Sequence, residues 1–405
     1  HINNLYSWLL NFQIFNDQYK RRYDASKQYD ENDIFIFFDP TWRHPDYPDG
    51  LAFFDTKHNC AAILGMSYFG EIKKGTLTLA WATAARNNYV SCHGGLKIFR
   101  KEGDSYVASF FGLSGSGKST LTHAKHDDKY DIEVLHDDAF VISVEDGSSV
   151  ALEPSYFDKT NDYPAGHREQ DYFVTVQNCG VTLDENGRKV LVTEDIRNGN
   201  GRTIKSRYST PNRVDKIKEP IQSIFWIMKD DALPPLVKIT DPRLASILGC
   251  TLMTKRSNAE NTGAGANLDA LVIEPYANPF RVYPLVEDYD KFKALFDKGV
   301  DCYIINTGDF LGKKVTKEVS LGVIETVVDG KANFELFGGL PGMEYLPVEG
   351  YEVPEMSGDY AALIRDRMQF RLDYLKAFND ANPEHQIPTD ALESIKTIER
   401  FIDVL

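Results

Sequence analysis

The most informative stretch of this chain is the segment Gly112-Leu113-Ser114-Gly115-Ser116-Gly117-Lys118-Ser119. It matches the pattern G-x-x-x-x-G-K-[ST], and it lies between an apolar run at residues 106–111 and a short segment, residues 120–122, that suits the start of a helix. Glycines let such a loop point successive N–H groups at phosphate oxygens, while the lysine adds a mobile charge and the serine hydroxyl ligates Mg²⁺. The predicted phosphate-binding residues are Gly112, Ser114, Gly115, Ser116, Gly117, Lys118, Ser119 and Thr120.

A pair of carboxylates follows shortly after this loop. Residues 132–135 have the composition of a strand and lead into His136-Asp137-Asp138, and residues 140–142 are apolar. Two carboxylates at the end of a strand suit a divalent cation with its bound water. A solvated turn is the alternative interpretation.

Apolar periodicity predicts the secondary structure elsewhere in the chain. Short runs bounded by Pro, Gly and Asp predict strands at 34–38, 51–54, 61–66, 76–81, 106–111, 221–228 and 302–305. Asp146-Gly147 and Asn186-Gly187 predict hairpin turns. Helical spacing predicts helices over 289–296, 359–378 and 389–404, and the Asn- and Gly-rich residues 257–267 are a candidate lid over the site.

The composition excludes several classes of function. The 405 residues are 42% hydrophobic and carry a net charge of −15, so we expect neither nucleic-acid nor membrane binding. There is no run of about 18 apolar residues, so no transmembrane helix is expected. The five cysteines contain no Cys-x-x-Cys pair, which fits a reducing cytoplasm. We expect a cytoplasmic enzyme with a small anionic substrate and no obligate protein partner.

Several segments together resemble the phosphoenolpyruvate carboxykinase family, its ATP-dependent branch in particular. Residues 68–75, with the sequence Tyr-Phe-Gly-Glu-Ile-Lys-Lys-Gly, are similar to the family's Tyr-x-Gly-Glu-Met-Lys-Lys-Gly, and residues 110–121 are close to its phosphate loop. Further segments are similar to family motifs and occur in the same order: residues 91–93, 136–138, 153–160, 206–211, 306–308 and 312–314.

The resemblance implies an α/β fold of the phosphoenolpyruvate carboxykinase type, with two lobes and a cleft between them. Residues 1–100 would form an N-terminal lobe that contributes a lysine and a histidine to a metal site. Residues 101–405 would form the P-loop nucleotide-binding and phosphoryl-transfer lobe. The implied cofactors are ATP, Mg²⁺ and Mn²⁺.

The resemblance also implies roles for single residues. Lys74, His93 and Asp138 would ligate Mn²⁺, which requires a neutral lysine with a lowered pKa. Lys118 and Ser119 would hold nucleotide and Mg²⁺. Two further sets follow: Thr307, Gly308 and Lys313 would border the nucleotide, and Lys159 and Arg207 would neutralise the transferring phosphoryl group.

Three departures from the family concern the substrate. The family's carboxylate-binding Arg-Ser-Pro-Lys-Asp pattern has no match in residues 1–60. Ala139 stands where the family has a glutamate, and residues 260–263, Glu-Asn-Thr-Gly, replace an adenosine-side Glu-Arg-Gly. We therefore expect retained phosphoryl transfer with a changed acceptor.

Basic residues between the motifs suggest that acceptor's chemistry. Arginines bind anions through two parallel hydrogen bonds, so a cluster of them suits a phosphorylated molecule. The candidate substrate residues are Tyr68, His167, Arg168, Arg197, Arg202, Lys205 and Arg207. Asp137 would accept the acceptor's hydroxyl proton, with direct metal contact as its rival role. The favoured hypothesis is an ATP-dependent kinase of a polyol or sugar phosphate, inositol phosphate being one conceivable acceptor.

Three alternatives stay open. The first is an authentic carboxykinase that converts oxaloacetate and ATP to phosphoenolpyruvate, ADP and CO₂. The second is a protein kinase like the HPr kinases, against which the Gly-Glu-x-Lys-Lys-Gly segment weighs. The third is a nucleotide-binding switch without turnover. The joint presence of Lys118, Asp138, Lys159 and Arg207 disfavours the switch.

Overall fold

The computed structural model describes residues 2–13, 16–113, 115–160, 163–167, 170–174, 179–192, 201–206, 210, 212–255 and 270–405. The chain is a mixed α/β protein, as predicted, and its Cα atoms group into two compact units. Unit 1 comprises His1–Thr83 and Ala151–Asp215, and unit 2 comprises Ala84–Val150 and Lys216–Leu405. The division into an N-terminal lobe over residues 1–100 and a nucleotide-binding lobe over residues 101–405 stays a prediction.

The helices vary widely in length. They are α1 (Ile2–Phe12), α2 (Asp17–Asp24), α3 (Phe69–Arg86), α4 (Lys118–His123), α5 (Gln170–Phe173), α6 (Pro242–Cys250), α7 (Leu285–Asp297), α8 (Lys317–Val328), α9 (Gly358–Ala381) and α10 (Thr389–Ile402). Across the ranges given above, no helix is both long enough and apolar enough to cross a lipid bilayer.

The strands are short. They are β1 (Phe35–Asp39), β2 (Leu51–Asp55), β3 (Cys60–Leu64), β4 (Tyr89–His93), β5 (Gly95–Lys101), β6 (Asp104–Phe111), β7 (Asp131–His136), β8 (Ala139–Ser143), β9 (Ser149–Ala151), β10 (Ser155–Lys159), β11 (Val181–Leu183), β12 (Lys189–Leu191), β13 (Arg202–Ser206), β14 (Lys216–Ile217), β15 (Ser223–Met228), β16 (Leu236–Ile239), β17 (Met253–Lys255), β18 (Leu271–Ile273), β19 (Asp301–Asn306), β20 (Asp309–Phe310), β21 (Lys313–Lys314), β22 (Glu335–Leu336) and β23 (Met343–Tyr345).

An eight-stranded sheet organises unit 2, with the strand order β22-β23-β16-β19-β15-β6-β5-β7. At its centre, β15 runs parallel to both β6 and β19. All six residues of β15 are buried, which is typical of a parallel strand covered on both faces. The carboxyl ends of these three strands therefore lie at one edge of the sheet.

A row of aromatic rings fixes the register of the three central strands. Phe225 pairs with Phe110 on one side and with Tyr303 on the other. The ring centroids are 5.1 Å and 4.9 Å apart, and both pairs are stacked. Leu121 of α4 belongs to the same hydrophobic core. Packing of this row thus holds α4 against the sheet.

A second sheet of unit 2 has the order β14-β9-β8-β4. Its β4 and β8 are antiparallel, with His93 opposite Ala139. The predicted turn at Asp146-Gly147 joins β8 to β9, and Gly147 has a positive φ of 72° that suits glycine. The short connection of residues 137–138 leads from β7 into β8 and brings the paired carboxylates next to β4.

Unit 1 contains a three-stranded sheet of order β1-β3-β2 and an antiparallel pair, β10 and β13. Phe69 and Ile72 of α3 pack with Ile204 of β13 in one hydrophobic cluster. The predicted turn at Asn186-Gly187 connects β11 and β12, which pair antiparallel. The cluster fixes α3 against the strand pair that carries the predicted substrate residues.

One predicted strand is wrong. Residues 76–81 alternate threonine and leucine, which predicts a half-buried strand, but they lie inside α3. Leu77, Leu79 and Trp81 are fully buried in this helix. A helix that is covered on several sides shows no clear 3.6-residue hydrophobic periodicity in its sequence. Burial in the folded chain therefore outweighs the preference of these residues for a strand.

Replacing Phe225 by Ala tests the aromatic row. We expect the free energy of unfolding to fall by about 3–5 kcal/mol, because a fully buried ring leaves a cavity between two stacked neighbours. Urea unfolding measures the loss. The control is Leu336→Ala on β22, where the leucine is 70% exposed and less than about 0.5 kcal/mol should be lost. Equal losses in both variants would contradict the role of the row.

Candidate active site

The predicted phosphate loop joins β6 to α4 in unit 2. Gly115 and Gly117 have positive φ values of 75° and 99°, which side chains disfavour. A Cβ on Gly112 would lie 2.9 Å from Ile227 Cβ, which cannot rotate away, so this position also favours glycine. Ser119 and Thr120 at the start of α4 are exposed and Lys118 is half-buried. Ser114 lies outside the described residues. The described loop residues lie between a strand and a helix, as the motif predicts, and their binding roles stay predictions.

Two neighbouring strand ends support this loop. Thr307, directly after β19, donates from Oγ1 to the Ser116 carbonyl at 2.7 Å. Lys229, directly after β15, donates from Nζ to the Gly115 carbonyl at 2.7 Å. A Cβ on Gly308 would lie 3.0 Å from Lys229 Cβ, so glycine leaves room for this lysine. Sequence reasoning missed Lys229 because only the parallel register makes it a neighbour of the loop.

The rest of the predicted nucleotide segment turns away from the loop. Asn306 is buried, and its amide nitrogen, with two N–H donors, lies within hydrogen-bonding distance of three backbone carbonyls, which fixes the turn after β19. Lys313 donates instead to the Gly350 carbonyl and lies 4.7 Å from the centre of the Tyr351 ring. Thr307 and Gly308 are therefore close to the loop, while the described contacts of Lys313 are with residues 350–351.

A buried histidine shapes the turn of the paired carboxylates. His136 Nδ1 accepts hydrogen bonds from the backbone N–H groups of Asp138, at 2.9 Å, and Ala139, at 3.1 Å. His136 is fully buried, so its ring cannot swing away. The turn between β7 and β8 is thereby held in one conformation, and both carboxylates are preorganised.

His93 and Asp138 form the candidate metal pair. His93 Nε2 lies 3.0 Å from Asp138 Oδ1. The other ring nitrogen, Nδ1, lies 2.5 Å from the Ala277 carbonyl, which can only accept, so Nδ1 carries the proton. Nε2 then directs a lone pair toward a carboxylate oxygen, an arrangement that a proton or a metal ion between them stabilises. Imidazole and carboxylate donors suit Mn²⁺.

A metal ion at this pair needs further donors. In the described part of the chain, no group of three or more His, Cys, Asp and Glu side chains is arranged to hold a metal. A site built on His93 and Asp138 therefore requires a ligand of another kind, such as an amine, a phosphate oxygen or water.

Asp137 has a different partner from its neighbour. Its Oδ2 lies 3.2 Å from Nε2 of His123, at the end of α4. Burial alone would raise the pKa of Asp137, but the hydrogen bond and charge of His123 outweigh burial and hold that pKa well below its usual range. Asp137 is therefore ionised at neutral pH. The sequence does not predict this role of His123, because α4 meets the turn that carries Asp137 only in the folded chain.

In unit 1, Lys74 projects from α3 next to a buried ion pair. Its Nζ lies 5.6 Å from the centre of the Trp81 ring. The adjacent Lys73 is buried, with Nζ 2.9 Å from Glu153 Oε1, and Asn11 donates to the other carboxylate oxygen at 2.8 Å. Glu153 thus anchors the segment of α3 that carries Lys74. The metal role of Lys74 stays a prediction.

The predicted substrate residues of unit 1 divide into two groups. Arg202 Nε donates to the Tyr68 hydroxyl at 3.1 Å, and Arg202 lies opposite Lys159 in the β10–β13 pair. Lys205 is buried and bonds the Tyr163 hydroxyl at 2.8 Å, with Asp158 3.4 Å away. The strand pair therefore brings Lys159, Arg202 and Tyr68 together and engages Lys205 inside the unit.

Of the remaining predicted substrate residues, only His167 lies in the described part of the chain. His167 is exposed and lies edge-on to the Tyr163 ring, with centroids 5.0 Å apart. Arg168, Arg197 and Arg207 lie outside the described residues, as does the candidate lid at 257–267. The acceptor pocket stays a prediction.

Comparison with known proteins decides the family. The sequence model of the ATP-dependent phosphoenolpyruvate carboxykinases matches residues 21–356. The chain belongs to this family. A relative named phosphoenolpyruvate carboxykinase (ATP), from Aeropyrum pernix, is 24% identical, and the similarity covers 80% of this chain and 70% of that protein. The resemblance seen in the motifs is thus confirmed, and the chain is an ATP-dependent enzyme of the carboxykinase superfamily that uses a divalent metal ion.

Replacing Asp138 by Asn tests the metal pair. We expect Mn²⁺ affinity to fall by at least about tenfold, because the variant loses a charged oxygen ligand. Electron paramagnetic resonance of free Mn²⁺ during a titration measures the affinity. The exposed Asp131 on β7 supplies the control, Asp131→Asn, which should bind as the unchanged protein does. An unaltered affinity in Asp138→Asn would place the metal elsewhere.

Replacing Glu153 by Gln tests the anchor beside Lys74. The variant removes the carboxylate charge 2.9 Å from the buried Lys73 ammonium, so we expect the free energy of unfolding to fall by about 3–5 kcal/mol. Chemical denaturation measures the change. Asp46→Asn removes a carboxylate that is 79% exposed and should change stability by less than about 0.5 kcal/mol. A Glu153 variant as stable as this control would contradict the anchoring role.

Proposed function

We propose that the protein converts oxaloacetate and ATP to phosphoenolpyruvate, ADP and CO₂. The observation that carries this proposal is the 3.0 Å approach of His93 Nε2 to Asp138 Oδ1. An imidazole beside a carboxylate suits a transition-metal ion, a ligand set that simple kinases seldom need. The proposal also agrees with the family of the chain and with the name of its Aeropyrum pernix relative.

The nucleotide half of the reaction is assigned to the loop before α4. Its N–H groups and Lys118 bind the β and γ phosphates, and the exposed Ser119 hydroxyl holds Mg²⁺. Lys229 and Thr307 engage two carbonyls of the loop, so its donors are oriented before nucleotide binds. Such preorganised donors lower the reaction barrier because they need not rearrange as charge develops.

The carbon half of the reaction is assigned to the metal pair and the cations of unit 1. Loss of CO₂ from oxaloacetate leaves the enolate of pyruvate, whose oxygen attacks the γ-phosphorus while ADP departs. His93 and Asp138 would hold a divalent metal ion, proposed to be Mn²⁺, whose positive charge would stabilise the enolate. The bond from His93 Nδ1 to the Ala277 carbonyl fixes the tautomer of the neutral ring in which Nε2 is the nitrogen available to a metal. Lys74 is proposed as a further metal ligand, and Lys159 is assigned to the anionic phosphoryl group.

Phosphoryl transfer to a polyol or sugar phosphate is the second candidate. The observation that favours it is the group Lys159, Arg202 and Tyr68, which offers two cations and a hydroxyl to a hydroxylated anion. The comparisons do not support this acceptor class, so it ranks below oxaloacetate.

The decisive assay is ³¹P nuclear magnetic resonance with ATP, Mg²⁺ and Mn²⁺, using oxaloacetate in one arm and a panel of polyol and sugar phosphates in the other. We expect phosphoenolpyruvate and ADP from oxaloacetate. Lys118→Ala should reduce turnover by at least about a thousandfold, since a cation on the transferring phosphate is worth that much or more. The exposed Lys376 on α9 gives the control, Lys376→Ala, with unchanged turnover.

Two outcomes would overturn the proposal. A new phosphomonoester with oxaloacetate inert assigns the chain to the second candidate. Full turnover in Lys118→Ala removes the phosphate loop from the reaction.

A further inference from the structure

Lys97 is a buried lysine that the proposed reaction does not use, and burial lowers its pKa to about 7. It lies on β5, is fully buried, and its Nζ is 4.7 Å and 5.7 Å from the ring centres of Phe99 and Phe110. An ammonium group in such surroundings is unfavourable unless its donors are paired. The groups that contact Lys97 Nζ therefore indicate the role of this lysine.

All three donors of Lys97 have acceptors. Nζ lies 2.7 Å from the Leu121 carbonyl, 3.1 Å from the Ala124 carbonyl and 2.9 Å from His126 Nε2. The two carbonyls lie at the C-terminal end of α4, where backbone acceptors lack partners within the helix and positive charge is favourable. Lys97 thus holds the far end of the helix that begins with Lys118.

His126 connects Lys97 to a second helix. His126 Nδ1 lies 2.9 Å from Glu325 Oε1 on α8, and since a carboxylate oxygen only accepts, Nδ1 carries the proton and Nε2 accepts from Lys97. Burial, and then the charge of Lys97, lowers the pKa of His126 to about 4, which agrees with a neutral ring between an ammonium and a carboxylate. The chain of contacts runs from α4 through β5 to α8.

The backbone at residues 126–128 adopts an unfavourable conformation next to the contacts of the His126 ring. His126, Asp127 and Asp128 have φ values of 54°, 52° and 57°, three successive left-handed residues that carry side chains. Such conformations are unfavourable and persist where the surroundings over-determine them. Here they turn the His126 ring inward, between Lys97 and Glu325.

The two helices joined by these contacts are α4 and α8, and each follows a segment of the predicted nucleotide site in the sequence. α4 follows the phosphate loop directly, and α8 follows the segment in which Thr307 bonds the Ser116 carbonyl. A fixed distance between α4 and α8 therefore restrains both segments that contact the loop: α4, which follows it, and the Thr307 segment, which precedes α8.

We propose that Lys97, His126 and Glu325 form a positioning relay that orients α4 and so sets the nucleotide affinity of the phosphate loop. The inference rests on the proposed function only in that nucleotide binds at this loop. None of the three residues belongs to a motif of the resemblance.

Calorimetric titration of the full chain with MgADP tests the relay. We expect the Kd to rise about tenfold in Lys97→Met, since a small displacement of binding groups has effects of this size or larger. Glu325→Gln keeps the hydrogen bond but removes the charge, and we expect about a threefold rise. The matched controls are Glu318→Gln, an exposed carboxylate on the same helix, and Lys238→Met, a lysine of the same sheet that pairs with Asp301; both should leave the Kd unchanged.

A merely structural role predicts a different result. Thermal stability would then fall in the variants while the Kd of the folded protein stayed constant, which would overturn the relay. If Lys97→Met does not fold, Glu325→Gln decides alone, because that carboxylate is one-quarter exposed. Failure of the unchanged protein to bind MgADP would overturn both the relay and the nucleotide site. Binding without turnover of oxaloacetate would overturn the proposed reaction and leave the relay to be judged by the Kd values.

Discussion

The parallel register of β6, β15 and β19 is the constraint on which the site depends. Phe225 stacks between Phe110 and Tyr303, so the three strands cannot slip without breaking this row. Since the strands are parallel, their carboxyl ends share one edge, where ligands of open α/β sheets bind. That edge carries the glycine-rich loop after β6, Lys229 after β15 and Thr307 after β19. The aromatic core therefore aligns three segments that are far apart in the sequence.

Buried lysines with carboxylate or histidine partners provide a second level of organisation. In unit 1, Lys73 and Glu153 form a buried ion pair beside Lys74. In unit 2, Lys97 reaches Glu325 through His126 at the end of α4. Each arrangement lies next to a segment that carries residues assigned to the reaction. Because unpaired buried charges are costly, each fixes the local backbone strongly.

The sequence predicts those features that depend on neighbouring residues. Residues 112–119 combine the glycines, the lysine and the strand context that a phosphate loop needs, and the hairpin at Asp146-Gly147 follows from its turn chemistry. Contacts between distant segments are not predictable in this way. Lys229 meets the loop only through strand register, and His123 meets Asp137 only through packing of α4. The helix at 76–81 looked like a strand because burial on several sides conceals helical periodicity.

We propose that the shared edge of β6, β15 and β19 holds the phosphates of ATP. The measurement that bears on this proposal first is a crystal structure of the full chain with MgADP. We expect the β-phosphate on the N–H groups of residues 115–119, Mg²⁺ at the Ser119 hydroxyl, and Lys229 beside the loop. MgADP bound elsewhere, with the loop at residues 112–117 unliganded, would show that this edge is not the phosphate site.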